Sequence, residues 1–319
     1  MSFLKRLFGA GSGVPEERLD DRPDGTLGYE RAPAFYQYLQ RRQYDDFARD
    51  FQALPWDGRE LVVNGIMSRP TLDYALTVWA SEQPDLAVAC LLRGINLTRQ
   101  AWAVRTVKLA RDEPDERVKM FFDAIQQARV YLEQAARLDP DDALAPARLI
   151  PVLMGLETSE RIIRAQLDRA RAIQPDHLGA HMATLQCLTP KWGGSLEKMN
   201  AFADAHYADG RYPLLTTLKL AALLEEWDWA KRTGDAETYR TFFDEPARRE
   251  QVVDLHERFS ASPGDSLQVP LVQNYFALLL LKVGEPGRAR AVIRELRGRM
   301  SIQPWQSVGI TSYSALTQL

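Results

Sequence analysis

The sequence has few of the residues that build disulfide frameworks or metal centres. Its 319 residues include only two cysteines, Cys90 and Cys187, and four histidines. Two thiols are too few for the disulfide scaffold of a small secreted protein, so we expect a reducing compartment, the cytoplasm. No His-Glu-x-x-His motif occurs, and no pair of cysteines has zinc-finger spacing. We therefore expect no bound metal.

Long apolar runs and an excess of one charge are also missing. The longest apolar stretches, residues 149–156 and 275–281, fall far short of the roughly 20 residues that a membrane span requires. Acidic residues number 43 and basic residues 40, so the formal net charge is only −3. This near balance argues against a dedicated binder of nucleic acid or of anionic membranes. We predict no membrane span and no nucleic-acid partner.

Motifs that carry catalysis or hold cofactors are missing as well. The sequence contains no Gly-x-Ser-x-Gly elbow and no Gly-x-x-x-x-Gly-Lys phosphate loop. Carboxylate pairs such as Asp141 and Asp142 are adjacent in sequence, and adjacent residues of a helix do not face one another. We expect no cofactor and no enzymatic activity, although an active site assembled only by tertiary contacts stays open as an alternative.

What the sequence does contain is helical periodicity interrupted by proline. From Pro33 onward, apolar residues recur at spacings of three and four, as Phe35, Tyr38 and Leu39 do. The alternating apolar and polar runs that are typical of strands do not recur. The spacing of the prolines predicts about twelve helices, each of roughly 10–20 residues. The predicted fold class is therefore all-α.

An internal repeat is the strongest signal in the sequence. Residues 131–142 align with residues 166–177, so that Pro140 falls on Pro175, 35 residues later. The aligned segments share a leucine and a small residue, and Ala135 falls on Ala170. A period near 34 residues, with alanine inside a helix and proline just after it, is typical of tetratricopeptide repeats. We predict an irregular tetratricopeptide-like α-solenoid of antiparallel helix hairpins.

A more particular pattern lies in the middle of the chain. It includes Ala101-Trp102, the Leu-Asp-Pro-Asp-Asp run at 138–142, and Pro190-Lys-Trp-Gly-Gly-Ser195. Over roughly residues 33–206 this pattern resembles an uncharacterised family of bacterial tetratricopeptide-like proteins, known as a domain of unknown function. The resemblance implies an all-helical fold and supplies no catalytic residues.

Composition divides the chain into three parts. Residues 1–28 are rich in glycine, proline and charge and have little to bury, so we expect a flexible N-terminal segment. Residues 29–300 form the predicted helical-repeat domain, with a subdivision left open near 207–213. Residues 301–319 form a C-terminal tail.

Four residues are candidates for contact with a partner. Lys191 and Trp192 precede a Gly-Gly loop, and Trp227 and Trp229 lie in an aromatic-rich region that also carries acidic residues. Aromatic anchors surrounded by charge are typical of protein interfaces. Packing in the core is the alternative for each tryptophan. Because Trp227 and Trp229 are two residues apart, one helix face cannot bury both equally.

Two histidines, His177 and His181, have the four-residue spacing at which two ligands share a helix face. In the repeat alignment they fall opposite Asp142 and Pro146, both at the start of a helix. This alignment favours capping and packing over metal binding.

Stacked helix pairs leave an extended curved surface, and such surfaces bind peptides or protein faces. The predicted function is a non-enzymatic scaffold or adaptor that holds a protein or peptide partner in a tetratricopeptide-like groove. A toxin-neutralising immunity protein is an alternative. A metal-binding protein, a small-molecule-binding protein or an enzyme with its site in the groove is another.

Overall fold

The computed structural model describes residues 22–104, 115–207 and 210–318. These ranges contain sixteen α-helices and no strand, which confirms the all-α prediction. The number exceeds twelve because short helices follow turns that proline spacing does not mark. None of the described helices is both long and apolar enough to cross a membrane. The helices are α1 (Ala32–Gln40), α2 (Tyr44–Gln52), α3 (Trp56–Met67), α4 (Asp73–Glu82), α5 (Ala87–Val104), α6 (Asp115–Leu138), α7 (Leu144–Gly155), α8 (Glu160–Ile173), α9 (Leu178–Cys187), α10 (Leu196–Tyr207), α11 (Thr216–Arg232), α12 (Ala236–Thr241), α13 (Pro246–Ala261), α14 (Val269–Lys282), α15 (Pro286–Leu296) and α16 (Tyr313–Leu316).

The sequence repeat corresponds to two equivalent helices, α6 and α8. Leu132 and Ala135 of α6 are buried, and so are their counterparts Leu167 and Ala170 of α8. Helix α7 packs on both α6 and α8, and α9 packs on both α7 and α8. Alanine at the contact lets neighbouring helices approach closely, because it has no side chain beyond Cβ. The repeat therefore sets the local packing of four consecutive helices.

Helix α3 is buried on almost every side. Its buried residues include the apolar Leu61 and Val62 and also the charged Asp57 and Glu60. A helix buried all around needs partners on all its faces. Helix α3 packs on α1 and α5, while its carboxylates bind groups from α7, α9 and the segment before α14.

The first and last parts of the described chain meet at α3. The Oδ2 atom of Asp57 accepts hydrogen bonds from the Ser266 hydroxyl at 2.9 Å and from the Leu267 amide at 2.7 Å. Helices α5, α7, α9, α11 and α14 each pack on the next one in this order. The contacts therefore describe a row of helices that returns to its own beginning, whereas the repeats of an open solenoid contact only their neighbours.

Both terminal segments pack on the helical body where they are described. Thr26 and Leu27 are buried, so packing begins before residue 29, whereas residues 1–21 lie outside the described residues. In the C-terminal tail, Trp305 is fully buried and its indole N–H donates to the Oδ1 atom of Asn274 in α14 at 2.7 Å. The tail thus covers α14.

Candidate functional site

A groove lies between α6 and α8, with α7 at its base. Its volume is about 280 Å³. We call it the α6–α8 groove. Its lining residues are Arg129, Glu133, Ala136 and Arg137 of α6, Leu149 and Leu153 of α7, and Ile162, Gln166 and Arg169 of α8.

An apolar side chain is exposed on the α8 wall of this groove. On α8, Ile162 is 39% exposed and shares a helix face with Gln166 and Arg169, four and seven residues later. On α6, Val130 is 60% exposed but does not line the groove. A single exposed apolar residue is ordinary. Ile162, however, lines the groove together with Leu149 and Leu153 of α7, so the groove has an apolar side that a partner can cover.

The charge in the groove is mainly positive. Arg129 donates to Glu133 at 2.7 Å, so these two charges offset each other. Arg169 donates only to the amide oxygen of Gln166, at 3.3 Å. Arg137 is exposed and has no partner in the part of the chain that the structure describes. Two guanidinium groups therefore remain available for carboxylates of a partner.

Sequence reasoning missed this groove, although a signal for it exists. Val130 and Ile162 are apolar but fall out of phase with the buried stripes of their helices, which contain Leu132 and Ile163. An apolar residue on the outer phase of an amphipathic helix marks surface that folding leaves uncovered. Two such residues on helices that flank one groove would have been the clue.

The predicted Lys191 and Trp192 lie away from this groove, in the loop before α10. The Lys191 ammonium donates to the carboxylate of Glu225 in α11 at 2.9 Å. Trp192 is half-buried and meets Trp102 of α5 edge to face, with ring centroids 5.5 Å apart. These contacts fasten the loop to α5 and α11.

The loop requires glycine at both positions, for a different structural reason at each. Gly193 has φ +83°, a left-handed backbone conformation that favours glycine. At Gly194 a Cβ would lie 2.0 Å from the carbonyl oxygen of Leu188, so no larger residue fits. The Trp-Gly-Gly run is thus explained by the tight loop itself.

Trp227 lies in the core, which corrects its assignment as a partner-contact residue. Its indole is stacked on Tyr239 with centroids 4.9 Å apart, and its N–H donates to the Tyr239 carbonyl at 3.0 Å. The ammonium of Lys282 lies 3.8 Å from the ring centroid. Only 7% of Trp227 is exposed. Trp229, two residues later, is half-buried and stays a candidate.

No protein-family model matches this chain, and neither does any curated protein or solved structure. The resemblance to the uncharacterised tetratricopeptide-like family therefore stands on the quoted residues alone. Function must be argued from the geometry of the sites.

His177 and His181 are buried at the start of α9. The Nδ1 atom of His177 accepts from the Ala180 amide at 3.3 Å, which confirms the predicted helix-start role. The Nδ1–H group of His181 donates to the His177 carbonyl at 2.9 Å. Nowhere in the described ranges do three His, Cys, Asp or Glu side chains group as metal ligands.

Acid is expected to destabilise the protein through His181. Burial lowers the pKa of His181 from 6.5 to about 3, so the unfolded chain binds a proton between these pH values that the folded chain does not. The free energy of unfolding therefore falls as pH falls through this window. From pH 6.5 to pH 5 the loss attributable to His181 should be about 2 kcal/mol.

Urea denaturation at pH 7 and pH 5 measures this loss. His181→Gln cannot titrate but keeps a donor for the His177 carbonyl, so its pH dependence should be flatter than that of the parent. An identical pH dependence in the two proteins would show that the titrating groups lie elsewhere.

Proposed function

We propose that this protein is a non-enzymatic interaction module that binds an acidic, amphipathic segment of a partner protein in the α6–α8 groove. The observation that carries the proposal is the combination of exposed Ile162 with Arg137 and Arg169 in one groove, neither arginine having a carboxylate partner in the described residues. Burial of the apolar side chains supplies affinity, and the arginines select acidic partners.

The groove on this face is a better candidate than the concave side of the helix row. Helical-repeat proteins usually bind partners on their concave surface. Here α3 packs against α5, and Glu60 of α3 contacts Arg148 of α7 and His177 just before α9. Helix α3 therefore covers part of the helix row, which leaves less of that row for a partner.

The length of the groove limits the bound segment. Helix α8 contains 14 residues, which span about 21 Å at 1.5 Å per residue. A helical partner segment of about four turns matches that length. Such a segment would place apolar residues over Ile162 and Leu153 and carboxylates beside Arg137 and Arg169. Recognition of an amphipathic helix by a groove is a common mode of peptide binding.

The two cysteines fit a cytoplasmic adaptor. Both Cys90 and Cys187 are free thiols, and burial raises the pKa of each. Thiols that stay protonated at neutral pH are poor nucleophiles and poor metal ligands. We accordingly assign neither cysteine a role in binding.

A labelled peptide tests the proposal by fluorescence anisotropy. The probe is a helical peptide of about 16 residues with leucines on one face and glutamates on the other; its counterpart carries lysines instead. We expect the acidic peptide to bind at least about tenfold more tightly than the basic one. Arg137→Glu combined with Arg169→Glu should weaken the acidic peptide at least about tenfold.

A matched control keeps the same change of charge on the same two helices. Arg117 of α6 and Arg161 of α8 are exposed and do not line the groove. Arg117→Glu combined with Arg161→Glu should therefore change binding by less than about twofold. Equal binding of the two peptides, or equal effects of the two double variants, would overturn the proposal.

A further inference from the structure

A second cavity, of about 390 Å³, lies between α3, α5 and α7. We call it the α3–α5–α7 cavity. Residues 25 and 27 at the start of the described chain also line it, as do residues 301 and 302 near its end. It shares no lining residue with the α6–α8 groove. Its volume falls in the range of about 300–1,000 Å³ that is usual for small-molecule sites.

The walls of this cavity combine apolar surface with charge of one sign. Leu61, Ile95 and Trp102 are among the apolar side chains that line it. The charged side chains on its wall are two arginines, Arg99 and Arg148. A cavity with apolar walls and a few convergent polar groups is typical of a site for a small organic ligand.

Both arginines are held in place by carboxylates that do not themselves line the cavity. Arg99 donates through Nη2 to Asp73, and Arg148 donates through Nη2 to Glu60. Arg148 Nη2 also donates to the Oδ1 atom of Asn64, at 2.8 Å. The guanidinium groups are therefore fixed in orientation before any ligand arrives, which lowers the entropic cost of binding.

Several donors of the lining residues have no partner among the described residues. Among them are the Nη1 groups of Arg99 and Arg148 and the Nδ2 group of Asn64, which also lines the cavity. Guanidinium and amide N–H groups on the walls of one cavity match the oxygens of a carboxylate or a phosphate.

We infer that the α3–α5–α7 cavity binds a small organic anion, with a carboxylate or phosphate head on the arginines and an apolar body against Leu61, Ile95 and Trp102. The head receives the Nη1 hydrogen bonds of Arg99 and Arg148, and Asn64 donates a third. This inference does not depend on the proposed protein-binding function, because the two sites use different residues.

Four probes with the same ten-carbon tail and different heads test the inference by isothermal titration calorimetry. They are decanoate, decyl phosphate, decan-1-ol and decylammonium. We expect decanoate or decyl phosphate to bind at least about tenfold more tightly than decan-1-ol, and decylammonium to bind least. Whichever of these two anions binds more tightly identifies the head group, carboxylate or phosphate, that the cavity prefers. Four indistinguishable probes, or a preference for the cation, would overturn the inference.

Arg99→Gln is the informative variant, because Asp73 keeps other donors. Its carboxylate also accepts from Asn96 at 2.7 Å and from Gln100 at 3.2 Å. We expect the variant to lose at least about tenfold in affinity for the preferred anion and to leave decan-1-ol binding unchanged. Arg93→Gln is the control, since Arg93 lies on the same helix and does not line the cavity.

A cavity-filling variant covers the case in which Arg99→Gln unfolds the protein. Met67 is half-buried at the end of α3 and lines the cavity, so Met67→Trp should fill part of it. Affinity for the preferred anion should then fall at least about tenfold while the circular dichroism spectrum is retained. Undiminished anion binding by Met67→Trp, or equal losses in Arg99→Gln and Arg93→Gln, would place the site elsewhere.

Discussion

Arg148→Met is expected to lower the free energy of unfolding by about 3–5 kcal/mol, because it leaves a buried carboxylate without its cation. The side chain of Glu60 is only 3% exposed, and Arg148 donates to its Oε2 atom. Its Oε1 atom faces the Nε2 atom of His177 at 3.3 Å. Burial lowers the pKa of His177, so this imidazole is neutral at pH 7 and cannot replace the lost charge. Urea denaturation at pH 7 measures the change.

Two further variants distinguish this cause from a general loss of packing. Glu60→Gln combined with Arg148→Met removes the carboxylate as well as its partner, and should recover a large part of the lost stability. Arg164→Met breaks a pair with Glu160 in which both side chains are about two-fifths exposed, and should cost less than about 1 kcal/mol. A double variant no more stable than Arg148→Met would contradict the explanation.

The local part of the fold could be predicted from the sequence because its causes are local. Leu132 and Ala135 recur at helical spacing and again 35 residues later, and both copies bury the same positions. Pairing between neighbours in sequence follows from such a repeat. The repeat also predicted the helix-start role of His177, because it aligns His177 with Asp142. Asp142 accepts a hydrogen bond from the Leu144 amide at the start of α7.

The position of α3 could not be predicted, because the groups that permit it are remote in sequence. Asp57 and Glu60 are charged, and a charged residue in an amphipathic helix normally indicates solvent. Both are buried because Leu267 and Arg148 satisfy their carboxylates, across separations of 210 and 88 residues. No local pattern in the sequence of α3 indicates partners that lie so far away along the chain.

The candidate sites show the same division between local and remote causes. The sequence correctly predicted a loop next to Lys191 and Trp192. The contacts that hold these two side chains, with Glu225 and Trp102, come from other helices and could not be predicted. In the α6–α8 groove, the decisive feature is that Arg137 and Arg169 lack carboxylate partners in the described residues. Whether a surface arginine is paired depends on tertiary neighbours, which composition and spacing do not specify.

Because Trp227 is more deeply buried than Trp229, replacing the two by alanine should change the free energy of unfolding by very different amounts. Trp227→Ala is expected to lower the free energy of unfolding by about 3–5 kcal/mol, and Trp229→Ala by no more than about 1 kcal/mol. Trp227 fills the space between Tyr239 and Lys282 and donates its N–H to a carbonyl, so alanine leaves a cavity and an unpaired acceptor. Trp229 is half-buried, and its removal leaves no comparable cavity.

Urea denaturation of the two variants under identical conditions is the measurement, and the acidic peptide provides a second readout. Neither tryptophan lines the α6–α8 groove, so both variants should bind the peptide as the parent does wherever they remain folded. Equal stability of the two variants would contradict the placement of Trp227 in the core. Loss of peptide binding by folded Trp229→Ala would instead move the partner surface to α11. A half-buried indole that contributes little to folding but much to binding must contact the partner directly.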